Sequence, residues 1–173
     1  MLFRSLDVGC AEGYYAVGLA LRCPAAHVYA YDTDPAALQA CRDMARLNGV
    51  LERITLGAEL TAHSLQAFPF AQRALIVCDC EGCEGEIFSD EAIQNLARCD
   101  LVVELHTFID PAIPTLLSER FRRTHTIDSV RTRRRRASDF LELAQLPPLA
   151  REVALAESRP GPMEWLVLEP RDR

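Results

Sequence analysis

The chain has 173 residues, 49% of them apolar, and a formal net charge of −6. That suits one domain with one packed core over residues 1–173 and argues against disorder. No run of eighteen apolar residues occurs, so no membrane-spanning helix is expected, and Asp7 and Glu12 inside the first apolar stretch argue against a secretory signal.

Strand and helix patterns alternate from the start. Phe3 to Val8 reads as a strand, and Tyr14 to Arg22 as a helix stopped near Pro24. Val28 to Tyr31 is a second strand. Asp34 and Pro35 read as the N-cap and first position of a helix to Leu47, which Asn48-Gly49 closes. Arg53 to Leu56 is a short third strand. Leu75 to Cys78 (LIVC) is a fourth, continuously apolar as a strand covered on both faces is. Glu91 to Ala97 is helical, Leu101 to Leu105 a fifth strand, Pro111 to Phe121 a helix and Thr124 to Arg131 a sixth strand. Ser138 to Ala144 and Leu149 to Ala156 read as helices, and Trp165 to Leu168 as the last strand, with Trp165 in the core. This order predicts an α/β fold with a doubly wound sheet. Ligands of such sheets bind beyond the carboxyl ends of the strands, at the switch in strand order.

The loop after the first strand, Asp7-Val8-Gly9-Cys10-Ala11-Glu12-Gly13, has the glycine pattern that holds a nucleotide-like ligand against backbone N–H groups. A dinucleotide fingerprint needs G-x-G-x-x-G, but here the second and third positions are Ala11 and Tyr14. Glu12 repels phosphate. Acids at Asp7 and Glu12 suit a cationic ligand instead, such as a sulfonium bearing an α-amino group. Asp32, nineteen residues after Gly13 at the end of the second strand, is placed to accept from ribose hydroxyls. Glu59, after the third strand, is placed to approach an adenine.

The fourth strand runs into Cys78-Asp79-Cys80-Glu81-Gly82-Cys83-Glu84, and the fifth ends in Glu104-Leu105-His106. Adjacent strands bring Asp79, Glu81, Glu84, Glu104 and His106 to one rim. Such a set suggests general-base work or a divalent ion, with His106 the natural base near pH 7. The C-x-C-x-x-C spacing invites zinc, but no second pair follows and the acids between favour harder ions, so no metal is assigned and the cysteines read as small buried residues. Seven scattered cysteines fit a reduced, cytoplasmic setting.

Charge is uneven. Residues 120–136 hold eight arginines against Asp128, about +7, which leaves about −13 on the rest. Arg131 to Arg136 can serve an anionic partner or a solvated loop. Arg159, in the loop before the last strand, is a substrate contact or a surface charge.

The segments LDVGCAEGYYAVGLA, VYAYDTDP, ARLNGV, IVCDCEGCE and VVELH together resemble class I S-adenosylmethionine-dependent methyltransferases, and within them the FkbM-type group. The resemblance covers Ser5 to His106. It implies a Rossmann-like sheet of seven strands, mostly parallel, with one antiparallel strand near the C-terminus. It implies S-adenosyl-L-methionine as cofactor, held by Asp7, Gly9, Cys10, Ala11 and Gly13 along the methionine part, by Asp32 and Thr33 at the ribose, by Glu59, and by Asp79 and Glu81 near the methyl group. His106, Asp79 and Glu104 are then the catalytic candidates, and the reaction is O-methylation of a small-molecule or carbohydrate acceptor. Two other expectations stay open: an inert methyltransferase-like binding module, and RNA methylation through Arg131 to Arg136. Members of the class carry lid helices before the first strand. Here these are expected upstream of Met1, from a second copy in a homo-oligomer, or absent in an impaired protein.

Overall fold

In the structure, a computed structural model, residues 3–70, 73–133, 135–156, 161 and 163–172 are described. Arg134 and Arg159 lie outside them. Seven strands form one sheet in the order β3-β2-β1-β4-β5-β7-β6. They are β1 (Phe3–Val8), β2 (Ala26–Tyr31), β3 (Ile54–Gly57), β4 (Ala74–Cys78), β5 (Asp100–Leu105), β6 (His125–Arg131) and β7 (Glu164–Pro170). Strands β1 to β5 pair in parallel, and β7 runs antiparallel to both of its neighbours. The strand order reverses between β1 and β4. Their following loops therefore leave in opposite directions, and a crevice opens above the sheet.

Period-two alternation fills the core on one face. Leu6, Val8, Ile76, Cys78, Leu101 and Val103 point into it, under Phe88, Leu117 and Phe121. The opposite face of β2 carries Val28 and Ala30 against Ala16, Val17 and Ala20 of α1 (Tyr14–Arg22) and Cys41 and Ala45 of α2 (Pro35–Leu47). These small residues let both helices sit close to the sheet. Asp34 caps α2 by accepting the Ala36 N–H at 2.8 Å, and Gly49, at φ 67°, follows the helix as a left-handed residue should.

Several expected elements differ. A short helix, α3 (Ala62–Gln66), was not expected. Its start is written in the sequence as a capping box, with Thr61 Oγ1 accepting the Ser64 N–H at 3.1 Å and Ser64 Oγ accepting the Thr61 N–H at 2.8 Å. The four-residue helix α4 (Glu84–Ile87) is too short for a periodic signal. The expected helix at 91–97 is a 3₁₀ turn, Ala92–Leu96. The helix expected from Pro111 starts at Ile113 as α5 (Ile113–Phe121), after Asp110 accepts the Ala112 N–H at 2.9 Å. The helix expected at 138–144 is two 3₁₀ turns, because Phe140 between them is extended (φ −131°, ψ 107°). Helix α6 (Pro148–Ala156) follows. Trp165 is half-buried rather than core, and its ring meets Tyr15 edge-on at 6.2 Å. No helix among the described residues is long and apolar enough to cross a membrane.

Candidate active site

The loop between β1 and α1 is pinned to the end of β2. Tyr31 O accepts from both Gly9 N (2.9 Å) and Cys10 N (3.0 Å), and Asp32 Oδ2 accepts from Ala11 N (2.8 Å). Gly13 N donates to Cys10 O at 2.7 Å. These four N–H groups are spent inside the protein, so they are not the ligand-binding donors expected from the glycine pattern. What the glycines do is geometric. Gly9 has φ 79°, and a Cβ there would lie 1.9 Å from Asp79 O, so the loops after β1 and β4 touch backbone to backbone. Gly13 has φ 90°, and a Cβ would lie 2.6 Å from Cys41 Sγ, so it sets how closely α1 meets α2. Ala11 takes φ 45° with a Cβ in place, a conformation that L-residues enter at a cost.

A cavity of about 520 Å³ opens over the switch point. Of the residues expected at a cofactor, Gly9, Ala11, Asp32 and Thr33 line it from the first two strands, Glu59 from the third, and Asp79 and Glu81 from the fourth. Asp7, Cys10 and Gly13 do not. Asp7 is fully buried beneath the loop, and neither carboxylate oxygen has a hydrogen-bond partner among the described residues. Burial pushes its pKa up to about 7, with Asp79 and Asp32 adding to the rise and the Ala16 N–H working against it without making a full hydrogen bond.

Leu60, Thr61, Glu86 and Ile87 also line the cavity and are absent from the expected set, since Thr61 caps α3, Leu60 precedes that cap, and Glu86 and Ile87 belong to α4. The charged lining is acidic throughout, Asp32, Glu59, Asp79, Glu81 and Glu86, with no arginine or histidine among the described residues. Acceptors of this kind suit hydroxyls and a cation, and repel phosphate. Apolar Val8, Leu60 and Ile87 supply a surface for a ring. A nucleoside carrying a positive charge fits this lining, and the volume lies within the range of small-molecule sites.

Beside the cavity stands His106, buried to 2% exposure. Its Nδ1 hydrogen-bonds Glu84 Oε1, which is also buried. An ionised Glu84 only accepts, which assigns the proton of this bond to Nδ1 and leaves Nε2 turned to the rim. There Nε2 lies 3.5 Å from Asp79 Oδ1 and 3.2 Å from Glu81 Oε2. Asp79, Glu104 and His106 present ligand atoms all within 4.8 Å of one another, a set able to hold a divalent ion. The expected catalytic trio is thus together, and Asp79 belongs to both cavity and trio. Glu84, a rim acid in the sequence, becomes the buried support of the histidine.

The cysteines depart from expectation. Cys80 and Cys83 are joined in a disulfide and line the cavity, so they are neither reduced nor buried filler. Cys78 stays a free, buried thiol. Part of the arginine excess is structural. Arg120 pairs with Asp90 at 3.1 Å and donates to Gly85 O and Phe88 O, and Arg131 pairs with Glu164 at 3.2 Å. Arg133, Arg135, Arg136 and Arg151 line a separate cavity of about 910 Å³.

Comparison with known proteins bears on the family and the fold. Among curated relatives, the chain is 49% identical over 51 residues to a ribosomal protein L11 methyltransferase of Photorhabdus laumondii, covering 30% of this chain and 17% of that protein. It is 32% identical over 120 residues to the Salmonella arizonae protein of the same name, covering 62% and 40%. The chain therefore spans less than half the length of these relatives. Among solved structures, it resembles a precorrin-6y C5,15-methyltransferase of Geobacter metallireducens (TM-score 0.63, 15% identity, 97% of this chain and 80% of that one). It also resembles a SAM-dependent methyltransferase of Geobacter sulfurreducens in complex with S-adenosyl-L-homocysteine (TM-score 0.56, 18% identity, 98% and 85%). The family model described as a methyltransferase domain matches residues 6–103, which hold the pinned glycine loop, Asp32 and Asp79. With more than half of its length matched, the chain belongs to the methyltransferase-domain family and has the class I S-adenosylmethionine-dependent fold.

Proposed function

We propose that this domain transfers a methyl group from S-adenosyl-L-methionine to a hydroxyl oxygen of a small-molecule or carbohydrate acceptor, as an FkbM-type enzyme would. The observation that carries this reading is the Glu84–His106–Asp79 arrangement at the rim of an acidic, nucleoside-sized cavity. When bound, S-adenosyl-L-methionine supplies an electrophilic methyl on a positively charged sulfur. Asp32 and Glu59 offer acceptors to sugar and base, and the Gly9–Asp79 backbone contact keeps the floor of the cavity thin. His106 Nε2 takes the acceptor's proton as its oxygen attacks, while Glu84 holds the ring. Glu81, 79% exposed and 3.2 Å from Nε2, gives that proton a way out to water.

A second reading has one observation behind it: the arginine-lined cavity formed by Arg133, Arg135, Arg136 and Arg151 suits an RNA acceptor. A ribosomal-protein acceptor, after the name of the matched relatives, is the protein counterpart of that reading. The deciding experiment supplies radiolabelled methyl cofactor with three acceptor pools: hydroxylated metabolites and glycans, total RNA, and ribosomal protein. Label in the first pool supports O-methylation of small acceptors. Label in RNA or protein alone replaces it. Cofactor uptake with no label in any pool leaves an inert binding module.

A further inference from the structure

Two cysteines in the loop after β4 belong to the wall of the cavity. Cys80 and Cys83 both line it, and their disulfide closes a four-residue ring around Glu81 and Gly82. Inside that ring the backbone takes two successive left-handed conformations, Glu81 at φ 53° and Gly82 at φ 105°. For Glu81 that conformation carries a cost, which persists only where the surroundings impose it. The disulfide ring encloses it. It also holds Glu81 Oε2 at 3.2 Å from His106 Nε2, and it fixes Cys83, the residue that opens α4 and so places Glu84 under the same histidine. A third sulfur is close: Cys78 Sγ lies 3.6 Å from Cys80 Sγ. Burial pushes the Cys78 thiol well up from its usual pKa, so it is not the attacking thiolate, and exchange has to come from the cavity side.

We propose that Cys80–Cys83 is a thiol–disulfide exchange site whose redox state is coupled to occupation of the cofactor cavity. Its co-reactant is a small dithiol or a protein dithiol. One thiolate of the reductant attacks Cys80 or Cys83 sulfur, the Cys80–Cys83 bond breaks, and the departing thiolate takes a proton. The second reductant thiol then resolves the mixed disulfide, leaving two cysteine thiols and one oxidised dithiol. The two bonded residues form part of the wall against which a cofactor would lie, so a bound cofactor covers them. Shielding by itself only slows the exchange; the coupling is the separate statement that the oxidised form binds the cofactor more tightly, and by linkage the cofactor then makes the disulfide harder to reduce at equilibrium. The proposal rests on the cofactor reading above and adds a control over it: reduction releases Glu81 and loosens the start of α4.

The test uses the whole chain and S-adenosyl-L-homocysteine as the probe. Protein isolated without reductant is alkylated and mapped by mass spectrometry, before and after dithiothreitol, with and without the probe. The probe's dissociation constant is measured calorimetrically in both redox states and in the Cys80→Ser/Cys83→Ser variant. Expected are a linked 80–83 peptide, slower reduction when the probe is present, and an affinity at least about fivefold weaker in the reduced protein, matched by the double serine variant. Equal affinity in the two states, or both cysteines alkylated at the outset, overturns the proposal and leaves the cofactor reading standing. No uptake of the probe in either state overturns the cofactor reading, and the coupling falls with it. The serine variant's melting temperature shows whether a weak affinity comes from the lost bond or from unfolding; an unfolded variant leaves the comparison between the two states of the native chain to decide.

Discussion

Asp32 Oδ2 accepts the backbone N–H of Ala11 at 2.8 Å, while its other oxygen accepts the N–H of Asp34 at 2.9 Å. The residue placed for the ribose is also the clasp that joins the β1 loop to the end of β2. Each carboxylate oxygen accepts more than one hydrogen bond, so the clasp leaves capacity for a ligand hydroxyl and holds the group in place beforehand.

Asp32→Ala should therefore weaken binding of S-adenosyl-L-homocysteine about tenfold or more and destabilise the fold by roughly 1.5–3 kcal/mol per lost charged hydrogen bond. Calorimetry and urea denaturation measure the two effects separately. Unchanged affinity would remove Asp32 from the ligand site and leave it the clasp alone.

Two of the loop positions at positive φ respond in opposite directions. Ala11→Gly relieves a left-handed alanine and should stabilise the protein by about 0.5–1 kcal/mol. Gly9→Ala places a Cβ against the Asp79 carbonyl, forces apart the loops after β1 and β4, and should abolish cofactor binding. Melting curves with and without the probe ligand check both; a Gly9→Ala protein that binds normally would show that the close approach is dispensable.

Asp7 makes stability depend on pH. Burial raises its pKa from 3.8 to about 7, so the folded state holds the proton more tightly than the unfolded chain. The resulting stability is present in full below about pH 4 and is lost as pH rises through 7. The total is on the order of 4 kcal/mol at about 1.4 kcal/mol per pH unit. Asp7→Asn should flatten that slope and be the more stable protein at pH 8. Parallel stability–pH curves for the two proteins would contradict the burial argument.

His106→Ala should lower kcat by about 10²-fold or more, with cofactor affinity little changed, because its ring is not part of the cavity lining. Glu84→Ala acts through the histidine and should lower kcat without raising the cofactor's dissociation constant, with Glu84→Gln recovering part of the loss because its amide oxygen still accepts from Nδ1. Turnover within a factor of about two in His106→Ala would exclude the base.

Local chemistry was enough to lay out the first half of the chain. Pro35 and Asp34 mark a helix start by their own geometry, and Gly49 closes the helix. The alternation in residues 5–8 turns Leu6 and Val8 to one buried face of the strand and Ser5 and Asp7 to the other. These signals act over a few residues, so they survive without any knowledge of neighbours. The same reasoning placed Asp79, Glu104 and His106 together, because parallel strands must end at one rim. It failed between 138 and 144, where an apolar pattern suggests a helix but Phe140 turns extended.

The partnerships at the rim were decided by tertiary structure alone. Asp32 reaches back twenty-one residues to Ala11, and Glu84 meets His106 from twenty-two residues away. Asp7 is buried with no hydrogen-bond partner among the described residues, whereas the family resemblance puts it beside a ligand. Each depends on strand register, on how deep a side chain lies below a loop, and on which backbone donors are already spent. Those quantities are properties of the assembled sheet, and a residue's own preferences carry no information about them.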